Sequence, residues 1–405
     1  MMYLAYQAHS DALAPIRVMA QIAGTLLTEW AWPPLCAGPL RMVVASCEMI
    51  ARAGLLHRRP AFGIDAVHVN GHVVPVREDA VDVTPFGTLL RFRKAIDVAQ
   101  PRVLLVAPLS GHFATLLRGT VETFLPEHDV YLTDWHNARD VSLSHGRFGF
   151  DEYIDHVIRF LEVLGSGAHV VAVCQPCVQV LAAVALMAAT EHPAQPRSMT
   201  LMAGPVDARV NPTRVNELAT SRSIEWFERT LIASVAPGFA GAGRRVYPGF
   251  TQIAAFMGMN AERHVKAHLD LFGHLMRGER EQAHLLTSFY DEYFSVLDLP
   301  AEFYLETVRM VFQEHLLARG ALEWRGRRVD PAAIRRTSLL TVEGEKDDIC
   351  GIGQTLAAQA LCSSLRPYRK RHHLEPGVGH YGVFSGRRFR AQIYPIVKNV
   401  ILASE

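Results

Sequence analysis

The sequence predicts an α/β protein: a mostly parallel sheet, with a helical extension before it and a helical insertion within it. Three observations carry that expectation. Short uninterrupted apolar runs such as RVLLVAP (102–108) and HVVAV (169–173) read as strands buried on both faces. Amphipathic segments lie between them, as in GFDEYIDHVIRFLEVLG (149–165), where Tyr153, Ile154, Val157, Ile158, Leu161 and Leu164 share one helical face. The alternation then stops between about 206 and 333. Strands that alternate with helices place a parallel sheet between two helical layers.

Taken in order, residues 1–60 read as a helical extension. Apolar residues recur at three- and four-residue spacing through DALAPIRVMAQIAGTLLTEW, prolines 33, 34 and 39 punctuate it, and MVVASCEMIARAGLL resumes the helix. AVHVNGHVVPVRE then alternates around Asn70-Gly71, a hairpin signal. RVLLVAP, HDVYLTDW (128–135), HVVAV, SMTLMAGP (198–205) and TSLLTVEGE (337–345) supply the strands of a core over 61–205 and 334–405. SIEWFERTLIASV, ERHVKAHLDLFGHLM and PAEFYLETVRMVFQEHLLARG are helical and fill 206–333. An insertion there reads either as a lid over the C-terminal strand edge, where α/β sheets bind ligands, or as a packing domain with no gating role.

Charge excludes several function classes. With 41 Lys and Arg against 40 Asp and Glu, no global field favours nucleic acid or anionic lipid. Six cysteines in 405 residues are too few and too irregular for a disulfide framework, and reduced thiols in the cytoplasm fit them better. MMYLAYQAHSDALAPIR lacks a basic start and places Asp11 where an export signal needs an apolar stretch. VVAVCQPCVQVLAAVALMAA (170–189) is the one candidate membrane span, and Gln175, Pro176 and Gln179 interrupt it. No transmembrane segment is expected.

That same stretch carries the chemistry. A buried strand, a sharp turn and a helix around Cys174 form the setting of a nucleophile elbow, with G-x-S-x-G replaced by Ala172-Val173-Cys174-Gln175-Pro176. A thiol at a helix N-terminus favours thiolate, and proline suits the start of a helix. The backbone N–H of Gln175 is the first expected oxyanion donor, and the loop around Leu109 and Ser110 the second. Downstream, Gly344 is followed three residues later by Asp347, with Asp348 as its rival. His380 then sits in the glycine-rich HHLEPGVGHYGVFSG. Cys174, Asp347 and His380 keep the α/β-hydrolase order of nucleophile, acid and base.

Two rival readings attach to Cys174-x-x-Cys177. A redox pair would leave the Asp347–His380 region unexplained. A zinc site lacks partners, because the histidines of RHH (371–373) diverge on a strand. Cys177 is therefore expected to pack inside the helix, with no metal and no organic cofactor called for.

AVCQPCVQVLAAVALMA, YPGFTQIAAFMGMN, LLTVEGEKDDICG and EPGVGHYGVFSGRRFR resemble the intracellular polyhydroxyalkanoate (polyhydroxybutyrate) depolymerases of bacteria. The resemblance runs over nearly the whole chain, and V-C-Q-P and E-P-G-V-G-H-Y-G-V-F are its specific blocks. It implies an α/β-hydrolase with a Cys174–Asp347–His380 triad that cleaves amorphous polyester in cytoplasmic storage granules. It departs from the expected pattern at Cys177, where a small hydroxyl residue such as threonine is expected. The granule surface is then the partner, and Tyr247, Phe250 and Phe256 in the uncharged stretch 246–260 are expected either to seat the polymer or to form lid core. Two alternatives stand beside this reading. One is a polyester synthase-like acyltransferase, whose elbow resembles G-x-C-x-G; the other is a granule-coating protein without catalysis.

Overall fold

A computed structural model describes residues 2–29, 37–259 and 261–405. Its centre is a nine-stranded sheet in the order Ala66–Val69, His72–Val83, Gly87–Lys94, Asp129–Trp135, Arg102–Val106, His169–Val173, Ser198–Met202, Ser338–Gly344, Lys370–Glu375. The first three strands run antiparallel, and Gly87–Lys94 also meets Asp129–Trp135 antiparallel. The remaining six strands pair in parallel. This mixed, mostly parallel sheet with helices is the expected α/β-hydrolase fold.

The reasons lie in the side chains. Every residue of His169–Val173, Ser198–Met202 and Ser338–Gly344 is buried, as central strands covered on both faces require. Helix Phe150–Leu164 buries Phe150, Tyr153, Ile154, Val157, Phe160, Leu161 and Leu164, one continuous stripe. Helix Cys177–Ala189 is apolar except for Gln179 and buried from Cys177 through Met187, so the membrane-like run is a helix of the core. Among the described residues no helix is long and apolar enough to cross a membrane. The predicted hairpin forms, with Asn70 at φ +50° and Gly71 at φ +83°, the two positive angles its tight turn needs.

The structure adds two features to the sequence reading. Gly87–Lys94 is a strand whose charged end hid it: Lys94 is buried, its Nζ donating to the carbonyls of Leu125 (2.8 Å) and His128 (2.6 Å). The insertion is also not purely helical. Ala233–Ser234, Arg245–Tyr247 and Leu299–Pro300 form a small antiparallel sheet beside the helices Gly249–Met259, Ala261–Arg277 and Arg280–Tyr293 in the chain order. Two-residue strands carry too little pattern to be read from sequence.

The extension forms two helices, Met2–Glu29 and Ala37–Ala51. Prolines 33 and 34 lie outside the described residues. The first helix is fastened to the insertion: Tyr3 donates to the buried carboxylate of Asp298 at 2.6 Å, and Asp298 also accepts from Gly249 N–H at 2.8 Å.

Candidate active site

Cys174 stands at the end of the central strand His169–Val173 with φ +67°. A non-glycine residue in this left-handed region costs about 1–2 kcal/mol, so the surroundings must hold it there. Its N–H donates to Met202 O at 2.7 Å, and its carbonyl accepts from Cys177 N–H at 3.2 Å as the helix begins. Pro176 precedes the first helical residue and offers no N–H. Cys174 is therefore lifted clear of the sheet while its backbone stays bonded on both sides.

Cys177 is buried beneath the turn, its Sγ directed at Ala172 O (3.5 Å) and Met202 O (3.7 Å). Burial, and then the neighbouring Cys174, push its thiol well above the ordinary range, so it stays protonated. Gly204 passes so close that a Cβ there would come within 2.3 Å of Cys177 Sγ. Five described cysteines are free, and none forms a disulfide.

Asp347 and His380 arrive from the next two strand ends. Asp347 follows Ser338–Gly344, and its N–H turns back onto Gly344 O at 3.2 Å. His380 opens a short helical turn after Lys370–Glu375. Gly344 lets the two loops touch, because a Cβ there would meet Val378 O at 2.6 Å. The Asp347 carboxylate, 1% exposed, takes His380 Nδ1 at 2.8 Å (Oδ2) and 3.0 Å (Oδ1). Its Oδ1 also accepts the N–H groups of Ile349 (2.9 Å) and Cys350 (2.8 Å). Asp348, the rival acid, is exposed.

His380 shares the lining of one cavity with Cys174, whose charge acts on its ring. Burial alone would lower its pKa; the charges of Cys174 and Asp347 outweigh that and hold it well above the usual imidazole value. Nδ1 is committed to the carboxylate, so Nε2 is the nitrogen left for sulfur. The three residues expected to act together are thus brought together.

These groups open into a cavity of about 270 Å³. Cys174, Gln175, Leu109, Ser110 and His380 form its floor, and Tyr247, Gln252, Phe303, Tyr304 and Thr307 of the insertion form its opposite wall. Of the expected donors, Ser110 N–H and Gln175 N–H have no acceptor among the described bonds. Leu109 N–H is occupied by the side chain of Gln175.

The expected polymer-seating residues separate. Tyr247 lines the cavity and stacks on Tyr304 at 3.9 Å between centroids. Phe250 turns the other way, stacking on Tyr6 at 4.0 Å and meeting Tyr3 edge-on, so it joins the insertion to the first helix. The side chain of Phe256 lies outside the described residues. Ile253 is buried too, so the stretch 246–260 is not one continuous surface patch.

Sequence reasoning missed a supporting carboxylate. Buried Glu343 accepts the N–H groups of Gly353 (2.9 Å), Thr355 (2.7 Å) and Leu356 (2.9 Å). Thr355 Oγ1 in turn exchanges two 2.9 Å bonds with the backbone of Gly204. The signal was an acid inside an otherwise apolar strand, SLLTVEG.

Comparison with known proteins now bears on this geometry. Residues 203–405 match the family described as PHB de-polymerase C-terminus, a stretch that holds Asp347 and His380 but begins after Cys174. No curated protein gives a significant match. Among solved structures, a putative lipase from Acinetobacter baumannii AYE is similar at 13% identity, over 81% of this chain and 93% of its own, with a TM-score of 0.46. The 2-hydroxy-6-oxo-6-phenylhexa-2,4-dienoate hydrolase of Rhodococcus sp. strain RHA1 is similar at 12% identity, over 81% and 99%, with a TM-score of 0.44. A thermophilic esterase from Thermogutta terrifontis is similar at 14% identity, over 80% and 98%, with a TM-score of 0.41. With half the chain inside the family match and an α/β-hydrolase sheet beneath it, this protein is a hydrolase that belongs to the PHB depolymerase family.

Proposed function

We propose that the protein hydrolyses amorphous poly(3-hydroxybutyrate) through a thioester on Cys174. The observation that carries this reading is the chain of contacts Cys174–His380–Asp347 at the floor of a largely apolar cavity. In the first step Cys174 thiolate attacks an ester carbonyl, forming a C–S bond and a tetrahedral oxyanion held by backbone N–H groups. The C–O bond breaks, and the leaving alkoxide takes the proton from His380 Nε2. Water then gives a proton to the same nitrogen and attacks the thioester; the C–S bond breaks and a hydroxy acid or short oligomer leaves. Asp347 keeps Nδ1 protonated throughout.

Seating on the granule belongs to the same reading. Met19 (69% exposed) and Ile22 (55%) on the first helix, and Val265 (60%) and Leu269 (68%) on Ala261–Arg277, present apolar side chains to solvent. Helix Gly249–Met259 links Val265 and Leu269 to the chemistry: Ala255 borders the cavity of Cys174, and Met257 borders an open groove with Met49, Ile50, Val265 and Leu269. An uncharged polyester chain longer than the cavity fits such a surface, since it offers only apolar and ester groups to bind.

The test compares wild type, Cys174→Ala and Cys174→Ser on native amorphous and crystalline polymer. The expected result is hydroxy-acid release from amorphous polymer by wild type alone. Activity of Cys174→Ala equal to wild type would overturn the mechanism. Release of CoA from 3-hydroxybutyryl-CoA with polymer growth would replace hydrolysis by synthesis. Met19→Ser/Ile22→Ser should weaken granule binding while sparing hydrolysis of a soluble ester; unchanged binding removes this face from the reading.

A further inference from the structure

Gln175 has a side chain that the reaction above leaves unused. Its Oε1 accepts the backbone N–H of Leu109 at 3.2 Å, and its Nε2 is buried with no protein acceptor. Only the oxygen end of an amide can take an N–H, so this orientation is fixed by chemistry. The contact joins the nucleophile's own turn to the loop on the opposite side of the cavity floor.

That loop is anchored firmly on either side but not in its middle. Before it, Ala107 N–H donates to Thr133 Oγ1 at 2.9 Å, and Ala107 O accepts Trp135 Nε1 (2.9 Å) and Tyr153 OH (3.1 Å). After it, Gly111 O accepts Leu297 N–H at 2.9 Å. Among the described hydrogen bonds, Pro108, Leu109 and Ser110 are held by the Gln175 contact alone. An oxyanion donor must be fixed before charge develops, and one already donating elsewhere has to give up a bond first.

We propose that Gln175 is a positioning residue whose side-chain carbonyl latches the 108–110 loop to the elbow. Leu109 N–H is spent on the latch, and Ser110 N–H is the donor it presents, alongside Gln175 N–H, to the oxyanion. One residue thus supplies one donor from its backbone and sets the other through its side chain. The inference rests on the thioester reading above.

The experiment uses Gln175→Met, of similar length but without the acceptor, on a soluble p-nitrophenyl ester. Alkylation of Cys174 by iodoacetamide is followed in parallel, because that reaction forms no carbonyl oxyanion and reports only on the thiolate. The latch predicts a kcat lowered about 10- to 100-fold, KM within about threefold, and an alkylation rate within about twofold of wild type. Gln175→Ala, which adds no bulk, repeats the reading, and matching thermal melts exclude misfolding. A kcat within twofold of wild type overturns the latch. An alkylation rate that falls in step with kcat also overturns it, since the side chain would then act on Cys174. Activity that survives Cys174→Ala overturns the thioester reading instead, which separates the two failures.

Discussion

Asp347→Asn separates the acid's two tasks. In the folded protein Oδ1 holds the N–H groups of Ile349 and Cys350, while Oδ2 lies 2.8 Å from His380 Nδ1. Asparagine can keep an oxygen toward the two backbone donors, but its NH₂ then faces the imidazole. Nδ1 must become an acceptor, so the ring proton moves to Nε2 and points at sulfur. A base in the wrong tautomer costs about 10⁴-fold in kcat, roughly 5 kcal/mol of barrier. Stability should barely change, because both backbone donors stay satisfied. Asp347→Ala should lose as much activity and also about 1–3 kcal/mol of stability for each orphaned N–H. The assay is kcat on a soluble ester beside urea unfolding of each variant. Asp347→Asn retaining more than a tenth of wild-type kcat would refute the reasoning, as would an equal loss in Asp348→Asn, whose side chain is exposed.

Gly204→Ala should destabilise by about 1–3 kcal/mol or more through overpacking, because the new methyl would meet the Cys177 side chain at 2.3 Å; an unchanged melt would refute the close approach. Cys177→Ser should keep most of the activity that Cys174→Ser loses, since the Cys177 thiol is held protonated by burial; equal losses would restore the redox pair. Burial pushes the Asp134 carboxyl up to about 6 despite Arg59 at 3.1 Å. The folded state therefore binds a proton that the unfolded chain has lost between about pH 4 and 6. That stabilisation is full below the unfolded value and disappears as pH rises through about 6, an effect of about 3 kcal/mol. The stability difference between Asp134→Asn and wild type should move by most of that amount in favour of asparagine between pH 4 and 7, and a difference constant with pH would refute it.

The central parallel strands and the elbow were legible because burial on both faces leaves a mostly apolar run, as in HVVAV and SMTLM. Asp347 was legible because it follows such a strand beside glycine, and His380 because it stands in a glycine-rich loop after a short strand. What escaped depends on partners distant in sequence. Lys94 reads as a solvated end until the carbonyls of Leu125 and His128 enclose it. The stacking of Phe250 on Tyr6 joins residues far apart in the chain, so no local pattern announces it. The latch joins residues 66 positions apart, and no local periodicity encodes which way a glutamine amide turns.

The division of labour in the fold follows from where these restraints lie. Of the seven described non-glycine residues at positive φ, two stand at adjacent strand ends, Cys174 at φ +67° and Ala203 at φ +50°. Both are bonded to their neighbours, Cys174 N–H to Met202 O and Ala203 N–H to Val342 O at 2.9 Å. Val342 belongs to the strand that ends in the Asp347 loop, and Thr355 ties that region back to Gly204. Cys174 and Asp347 are therefore parts of one hydrogen-bonded unit spanning three central strands, and moving either strains the bonds at those strand ends. The far wall of the cavity hangs instead on the small insertion sheet and on the buried Asp298, which joins Tyr3 to Gly249. Substitutions in that wall should change which ester enters and leave the alkylation rate of Cys174 alone, whereas substitutions at the three strand ends should move both together.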